Sequence, residues 1–161
     1  VPTKLLFGEL LALAEPEINH TSQAAGYGIT MTAVRLNSKQ KAKGSGPTGS
    51  MNSSFQILNK RRQEANPEAS YYVKGHLLNE DLGGPGVWKN LTPLSRKGNS
   101  DHESQVESLV KAAFQSGAVI QYNVTAVYGY GQNEGPKLGI PELADREPVV
   151  GFNHQWTSHW T

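Results

Sequence analysis

Apolar and polar positions follow strand-like and helix-like periods through much of the chain. Strands are predicted where β-branched and aromatic residues crowd together or apolar and polar positions alternate, at 27–36, 70–78, 89–94 and 118–128. Helices are predicted where apolar residues recur three and four positions apart, at 4–14, 55–64 and 99–115. The pattern therefore predicts an α+β fold with a small mixed or antiparallel sheet and flanking helices, whereas the chain after residue 128 gives no clear pattern.

The helix predicted over 99–115 has the strongest signal in the chain. Ser100 and Glu103 have the spacing of a capping box at its start, and Gly117 follows its end. Two glycine-rich stretches, KGSGPTGS at 43–50 and DLGGPG at 81–86, predict loops, the first of them flexible. Because the 161 residues contain no internal repeat and no credible linker, we predict a single domain over 1–161.

The composition excludes several classes of protein. The chain has no cysteine, which excludes disulfides, thiolate zinc sites and cysteine nucleophiles. No stretch approaches the roughly 18 apolar residues of a membrane-spanning helix, so no membrane partner is expected. Glu9 interrupts the apolar run at 4–14 and no basic region precedes it, which favours an amphipathic helix over a signal peptide. Because the sequence begins with Val1 and not Met, we expect a piece of a longer protein.

The net formal charge of +1 is too small to indicate a nucleic-acid-binding protein by itself. Basic residues nevertheless cluster in three places, at Lys39, Lys41 and Lys43, at Lys60, Arg61 and Arg62, and at Lys89, Arg96 and Lys97. A local basic surface and ordinary solvated loops both fit this distribution, and charge alone does not separate them.

Polar side chains gather on one flank of the strongest predicted helix. Asn99, Glu103 and Glu107 are four residues apart, so a regular α-helix places them together. They adjoin the apolar side that is predicted from Val106, Leu109, Val110, Ala113 and Phe114. Carboxylates turned toward a core are costly unless something compensates them, and a divalent cation is the usual compensation. His76, directly after Gly75 on the preceding strand, could point into the same space as a base.

Each of these residues also has a purely structural interpretation. Glu103 could only close the capping box, and Asn99 could be the helix N-cap or the residue before it. Glu107 could pair with Lys111 one turn further on, and His102 could stack at the entrance of the helix. Both interpretations stay open from the residues alone.

Three sequence elements occur together in one order. They are the segment YVKGH that ends at His76, the segment NLTP that begins at Asn90, and the pair Asn99 and Glu107. Asn90 and Asn99 are nine residues apart, and Asn99 and Glu107 are eight. Over about residues 70–128 this set resembles the DNA/RNA non-specific endonuclease family. The segments GHLLNEDLGGPG and NLTPLSRKGN further resemble nuclease domains of large bacterial delivered toxins.

The resemblance implies a ββα-metal (His-Me finger) core and a role for each matching residue. His76 would be the general base, and Asn90 would accept a hydrogen bond from its ring. Asn99 would bind Mg²⁺ directly, with Mn²⁺ as the other candidate, and Glu107 would anchor water molecules of the metal. Lys74 would add positive charge beside the phosphate. A largely sequence-non-specific endonuclease is therefore expected, which contacts the phosphate backbone of DNA or RNA.

The resemblance has departures and further implications. The family's Asp-Arg pair before Gly-His is replaced by Val73 and Lys74, and Lys lacks the bidentate fork of Arg. A second phosphate-binding Arg cannot be aligned, and the candidates are Arg35, Arg61 and Arg62. Arg96 and Lys97 could contact the nucleic-acid backbone. A delivered toxin would be secreted, would act in the cytoplasm of a target cell and would have a cognate immunity protein as partner.

Two other functions compete with the nuclease. The missing Asp-Arg pair and the near-neutral charge favour a non-catalytic interaction module with a degenerate nuclease core, whereas the intact residues His76, Asn90, Asn99 and Glu107 oppose it. A metal hydrolase built on His154 and His159 is the third interpretation, although their spacing is poor for one helix face.

Overall fold

The computed structural model describes residues 15–23, 26–39, 43–50, 52–65, 67–68, 71–128 and 149–159. The helix predicted over 4–14 lies outside these residues. The strands are β1 (Glu17–Ser22), β2 (Gly28–Leu36), β3 (Val73–His76), β4 (Leu91–Leu94), β5 (Val119–Tyr128) and β6 (Val149–His159). The helices are α1 (Ser53–Ala65), α2 (Arg96–His102) and α3 (Ser108–Gln115), and a π-helical turn (Glu103–Glu107) makes α2 and α3 continuous.

The six strands form one mixed sheet in the order β1-β2-β5-β6-β4-β3. All neighbouring pairs are antiparallel except β4 and β6, which are parallel and meet at Leu94 and Val149. This confirms the predicted α+β fold with a mixed sheet. Strand β3 lies at the edge of the sheet and is followed by the long connection to β4, so its last residues border on loops and on α2.

The main core lies between the central strands and the continuous helix. Strand β5 alternates buried and exposed positions over most of its length, as expected for a strand with one face against a core. Its inward residues pack with β2 and α3, in a cluster that includes Met31, Ala33, Val110, Phe114, Ile120, Tyr122 and Val124. A second, smaller cluster of Tyr27, Phe55, Leu58 and Tyr72 packs α1 beside β3.

The continuous helix begins earlier than the sequence predicted. Ser95 is the N-cap, and its hydroxyl oxygen accepts a hydrogen bond of 3.0 Å from the backbone N–H of Gly98. The predicted capping box of Ser100 and Glu103 is therefore wrong. Asn99 lies inside the first turn instead of at the cap, which points its side chain back toward β3.

The π-helical turn changes which residues of the helix face the core. The N–H of Ser108 bonds to the carbonyl of Glu103, five residues back, so one extra residue is fitted into the turn. This shift of phase buries His102 and leaves Glu103 exposed. Leu109, which the sequence pattern placed on the apolar side, is 56% exposed. The predicted apolar side is therefore wrong at this residue.

Two strands of the described part were missed by the sequence pattern, and two others have different bounds from those predicted. Strands β1 and β6 were not predicted, and the predicted strand 70–78 is regular only over β3. Residues 88–90 of the predicted strand 89–94 form a 3₁₀ turn before β4 begins. No helix among the described residues is long and apolar enough to cross a membrane.

Candidate active site

A cavity of about 540 Å³ lies between the end of β3, the continuous helix and the loops on either side. Its lining residues are mostly polar or charged: Pro47, Val73, Lys74, His76, Asn79, Glu80, Asp81, Asn99, Glu103 and Glu107. Four of the five predicted site residues are in this set, and Asn90 is not. The fold therefore brings a histidine, a lysine, an amide and carboxylates to one concave surface, as the sequence predicted.

Glycine at position 75 allows β3 to pack closely against Leu94 of β4, next to Asn99. A Cβ atom at Gly75 would be 2.8 Å from Cδ2 of Leu94, which is closer than packed carbon atoms approach. The same Cβ would be 3.5 Å from Oδ1 of Asn99. The amide oxygen of Asn99 therefore faces the backbone of β3 immediately before His76.

The ring of His76 is held by a main-chain carbonyl. Nε2 of His76 is 3.0 Å from the carbonyl oxygen of Ser45, which can only accept a hydrogen bond. The N–H of the neutral ring is therefore assigned to Nε2, which leaves the lone pair of His76 on Nδ1. A residue of the glycine-rich loop 43–50 thus orients the candidate base.

The predicted hydrogen bond between Asn90 and the ring of His76 is wrong. Asn90 is fully buried, and its amide oxygen is 2.7 Å from Nε2 of His20 and accepts a bond of 2.9 Å from the N–H of Leu78. Its amide nitrogen donates to the carbonyls of Leu78 and Pro85. All of these hydrogen-bonding positions are used, so Asn90 fixes the backbone that follows His76 without contacting its ring.

Lys74 points to the same loop as His76. Its Nζ donates a hydrogen bond of 2.6 Å to the carbonyl of Thr48 and lies 5.4 Å from the centre of the Trp88 ring. The backbone of loop 43–50 therefore contacts both side chains that the resemblance assigns to the phosphate and to the water.

The two glycine-rich loops pack against each other. The N–H groups of Ser45 and Thr48 donate to the carbonyls of Gly84 and Gly86, at 3.1 Å and 2.7 Å. A Cβ at Gly86 would be 1.7 Å from the carbonyl oxygen of Gly46, so a side chain there would force the loops apart. The sequence predicted 43–50 as a flexible loop without a role. Its glycines give the only local signal that two backbones come this close.

Glu107 is the more organised of the two candidate carboxylates. It is 5% exposed, its Oε2 accepts a hydrogen bond of 2.9 Å from the side chain of Asn79, and its Oε1 is 3.2 Å from Nε2 of His102. Glu103 is exposed and pairs with Lys111, at 3.8 Å. Lys111 pairs with Asp81 and Glu103, so the alternative interpretation in which Glu107 pairs with Lys111 is wrong. Asn79 was missed because no motif marks it.

The oxygen atoms of the cavity suit a hard divalent cation that keeps most of its waters. Asn99 is exposed, and its side chain makes no hydrogen bond to a residue that the structure describes. Among those residues no three His, Asp or Glu side chains surround a common point. A cation there would take one amide oxygen directly, with carboxylates reaching its waters, which is typical of Mg²⁺ and untypical of Zn²⁺.

The carboxylate of Glu107 lies close enough to buried Tyr122 to affect it electrostatically. Burial raises the pKa of Tyr122, and the nearby charge of Glu107 raises it further. The hydroxyl of Tyr122 is buried and has no hydrogen-bond partner among the described residues. The floor under Glu107 is thus a polar region in an otherwise apolar core.

The other candidates lie elsewhere. His154 and His159 are on β6, where a separation of five residues puts them on opposite faces of the strand. Neither lines the cavity, so a shared metal site is not supported. Arg35 contacts the carbonyl of Glu15, and Arg62 lies over the ring of Tyr72, so neither supplies the missing phosphate-binding arginine in this structure.

The comparisons with known proteins agree with this geometry. A family model described as DNA/RNA non-specific endonuclease matches residues 29–137, about two thirds of the chain. The chain belongs to this family. Membership supports an endonuclease activity, and the matched range contains every residue of the predicted site.

Similar solved structures show the same fold. NucA from Streptococcus agalactiae with a magnesium ion bound has a TM-score of 0.52 and 14% identity, covering 90% of this chain and 67% of that one. The same protein with no metal bound has a TM-score of 0.50 and 15% identity, covering 90% and 65%. The chain thus spans about two thirds of the length of these structures. A search of curated proteins found no match.

Proposed function

We propose that this chain is a Mg²⁺-dependent endonuclease that hydrolyses phosphodiester bonds of DNA, RNA or both with little sequence preference. The observation that carries the proposal is the meeting of His76, Lys74, Asn99 and Glu107 in one cavity. The magnesium ion bound to NucA, a structure with the same fold, supports a divalent metal, and Mn²⁺ is the other candidate.

His76 acts as the general base. With its hydrogen on Nε2 held by the carbonyl of Ser45, Nδ1 accepts the proton of a water molecule that attacks the phosphorus in line. A Mg²⁺ ion bound by Asn99, with its waters anchored by Glu107, would neutralise charge on the phosphate and on the leaving 3′ oxygen. Asn90 contributes by holding the backbone of Leu78, two residues after the base.

Lys74 supplies positive charge close to the reacting phosphate. As a single ammonium group it gives charge without the paired donors of arginine, so we expect a weaker grip on the phosphate than an arginine provides. Its bond to the carbonyl of Thr48 fixes the ammonium at the rim of the cavity. Arg96, exposed at the start of α2, is a further candidate for backbone contacts, whereas Lys97 already pairs with Asp101 at 2.6 Å.

The biological role we propose is that of a toxic domain in a bacterial protein that is secreted or delivered into a target cell. The domain then acts in the target cytoplasm, and the producing cell makes a cognate immunity protein. The resemblance of GHLLNEDLGGPG and NLTPLSRKGN to delivered toxin domains supports this role. Growth arrest on expression in a bacterial cytoplasm, relieved by His76→Ala, is the expected outcome.

A cleavage assay tests the activity. Purified domain is mixed with supercoiled plasmid and, separately, with RNA, in Mg²⁺ or Mn²⁺. We expect cleavage that EDTA stops and that His76→Ala lowers by about 10² to 10⁴-fold, the usual contribution of a general base. Glu107→Gln should lower the rate strongly, and Glu103→Gln only slightly, because Glu107 alone is buried and oriented by Asn79.

The controls separate a nuclease from its alternatives. Cleavage that persists in EDTA and in His76→Ala would contradict the proposal. Binding of Mg²⁺, seen as a raised melting temperature, with no cleavage of either substrate would instead identify the non-catalytic module with a degenerate core. A larger loss in Glu103→Gln than in Glu107→Gln would show that the carboxylates have been assigned in the wrong order.

A further inference from the structure

The carboxylate of Glu107 has a neighbour at each oxygen. Oε2 accepts the hydrogen bond from Asn79, which lies just beyond β3, and Oε1 is 3.2 Å from Nε2 of His102 on the same helix. Glu107 and His102 are almost fully buried. Since a buried carboxylate is unfavourable without partners, both neighbours help to determine where this group can lie.

The contact between His102 and Glu107 depends on the π-helical turn. In a regular α-helix, residues four apart share a face, which would place Glu103 and not His102 beside Glu107. The turn Glu103–Glu107 holds one more residue, and its closing bond runs from the N–H of Ser108 to the carbonyl of Glu103. Residues five apart therefore come together, and an imidazole replaces a second carboxylate next to Glu107.

This replacement has an electrostatic consequence. Two carboxylates four residues apart repel each other, whereas an imidazole N–H is a donor that a carboxylate attracts. Single π-helical turns inside α-helices occur frequently at functional sites, because they insert one residue without breaking the helix. Here the inserted residue rotates Glu103 out to Lys111 and brings His102 in.

We propose that His102 is a positioning residue, which holds Oε1 of Glu107 so that the carboxylate faces the cavity beside Asn99. This inference rests on the proposed function, since it assigns Glu107 to the waters of a bound Mg²⁺. Ring N–H groups and amides that orient metal-binding carboxylates contribute to metal affinity as well as to rate. His102 touches neither the phosphate nor the attacking water.

The competing role of His102 is packing. Its ring lies against Phe152 of β6, with 4.3 Å between the ring centres, and this contact could by itself explain a buried histidine. Its Nε2 also lacks the geometry of a full hydrogen bond to Glu107, although the distance is short. The two roles predict opposite rankings of two substitutions, which makes them separable.

Two variants give these rankings. His102→Phe keeps an aromatic ring against Phe152 and removes the N–H, whereas His102→Gln loses the ring and keeps an amide N–H near the place of Nε2. For each variant, Mg²⁺ is titrated, and both the melting temperature and the cleavage rate of plasmid are followed. We expect His102→Phe to raise the Mg²⁺ concentration for half-maximal effect by about tenfold or more, and His102→Gln to raise it much less.

Phe152→Leu is the matched control. It removes the ring contact and leaves Nε2 of His102 beside Glu107, so the melting temperature should fall while the Mg²⁺ midpoint stays near that of the wild type. A lower midpoint for His102→Phe than for His102→Gln, or equal midpoints in all variants, would overturn the positioning role. Near-wild-type folding of each variant is checked by circular dichroism before the titration.

The thermal measurement separates this inference from the proposed function. If Mg²⁺ stabilises the wild type but no nucleic acid is cleaved, the endonuclease proposal fails and the ranking of the Mg²⁺ midpoints still decides the role of His102. If cleavage occurs and the Mg²⁺ midpoint of His102→Phe is lower than that of His102→Gln, as packing predicts, only the positioning role fails. If Mg²⁺ neither stabilises the wild type nor supports cleavage, both fail together.

Discussion

Gly75, the residue before the candidate base, lies where the neighbouring strand leaves no room for a side chain. A Cβ at this position would be 2.8 Å from one carbon of Leu94 and 3.2 Å from another, on a β4 residue that is itself buried. Neither neighbour is a flexible side-chain end on the surface, so the two strands would have to separate. Because His76 is the next residue, any such movement changes its distance to Asn99.

Gly75→Ala should therefore destabilise the fold by about 1–3 kcal/mol, the usual cost of an extra methyl group in a packed core, and should also lower the cleavage rate. The measurement is urea unfolding combined with the plasmid assay. Gly49→Ala is the control, because no atom lies within 4 Å of the added Cβ. Equal stability of the two variants would show that the strands near Gly75 adapt freely.

Residues differ in how far their roles could be predicted from sequence. His76, Asn99 and Glu107 were grouped from their predicted elements and from the resemblance to the nuclease family, and all three line one cavity. Their catalytic and metal-binding roles stay predictions. The partners of Asn90 could not be found in this way, because His20 is 70 residues away on a strand that the pattern did not predict. The hydrogen bond from His76 to the carbonyl of Ser45 could not be predicted either. Every residue has a carbonyl, and only tertiary packing determines which one contacts the ring.

At the scale of the helix, one cap determines where Asn99 points. The helix begins after Ser95, so Asn99 occupies its first turn and faces β3. A start at Ser100 would have left Asn99 outside the helix, free to turn toward solvent. The N-cap is therefore a functional as well as a structural feature.

Substitution of Ser95 and of Ser100 distinguishes a helix that is capped by Ser95 from one that is capped by Ser100. Ser95→Ala removes the acceptor of the Gly98 N–H and should cost about 1 kcal/mol, the typical value for a lost N-cap. Ser100→Ala should change the free energy of unfolding by less than about 0.5 kcal/mol, since its exposed side chain caps nothing. The check is chemical unfolding of both variants, and the reverse order would restore the capping box at Ser100.

The helix also shows why a periodic pattern is read incorrectly at a π-helical turn. The prediction assumed 100° for every residue, so it placed Glu103 beside Glu107. One extra residue in the turn changes the phase on one side of it relative to the other. The end and the overall amphipathic character of the helix were predicted correctly, because they do not depend on that phase.

At the scale of the whole molecule, the sheet joins the site to its most distant strand. Strand β1 is at the edge opposite β3, yet His20 on β1 reaches the amide of Asn90, and Asn90 holds the backbone after His76. The fold class followed from the mixture of strand and helix patterns. The order of strands did not, because it depends on long connections and on two strands without a clear sequence signal.

His20 makes this long-range connection sensitive to pH. Burial lowers its pKa below the ordinary value of 6.5, the hydrogen bond to Asn90 partly opposes this, and the charge of Lys89 lowers it further. Well above pH 6.5 the residue is neutral in both the folded and the unfolded chain, so its contribution to stability is constant there. As the pH falls below 6.5, the unfolded chain takes up the proton first, and this stability is lost until the folded-state pKa is reached.

The free energy of unfolding should therefore decrease as the pH falls below about 6.5 in the wild type, and decrease less in His20→Gln. Glutamine keeps an amide N–H for Asn90 and cannot be protonated in this range. Urea unfolding at several pH values measures both slopes, and their difference removes the contribution of every other histidine. If the slopes are parallel, His20 is not the group that titrates. If the slope of His20→Gln is the smaller one, protonation of His20 is what links acid to the lower stability of the domain.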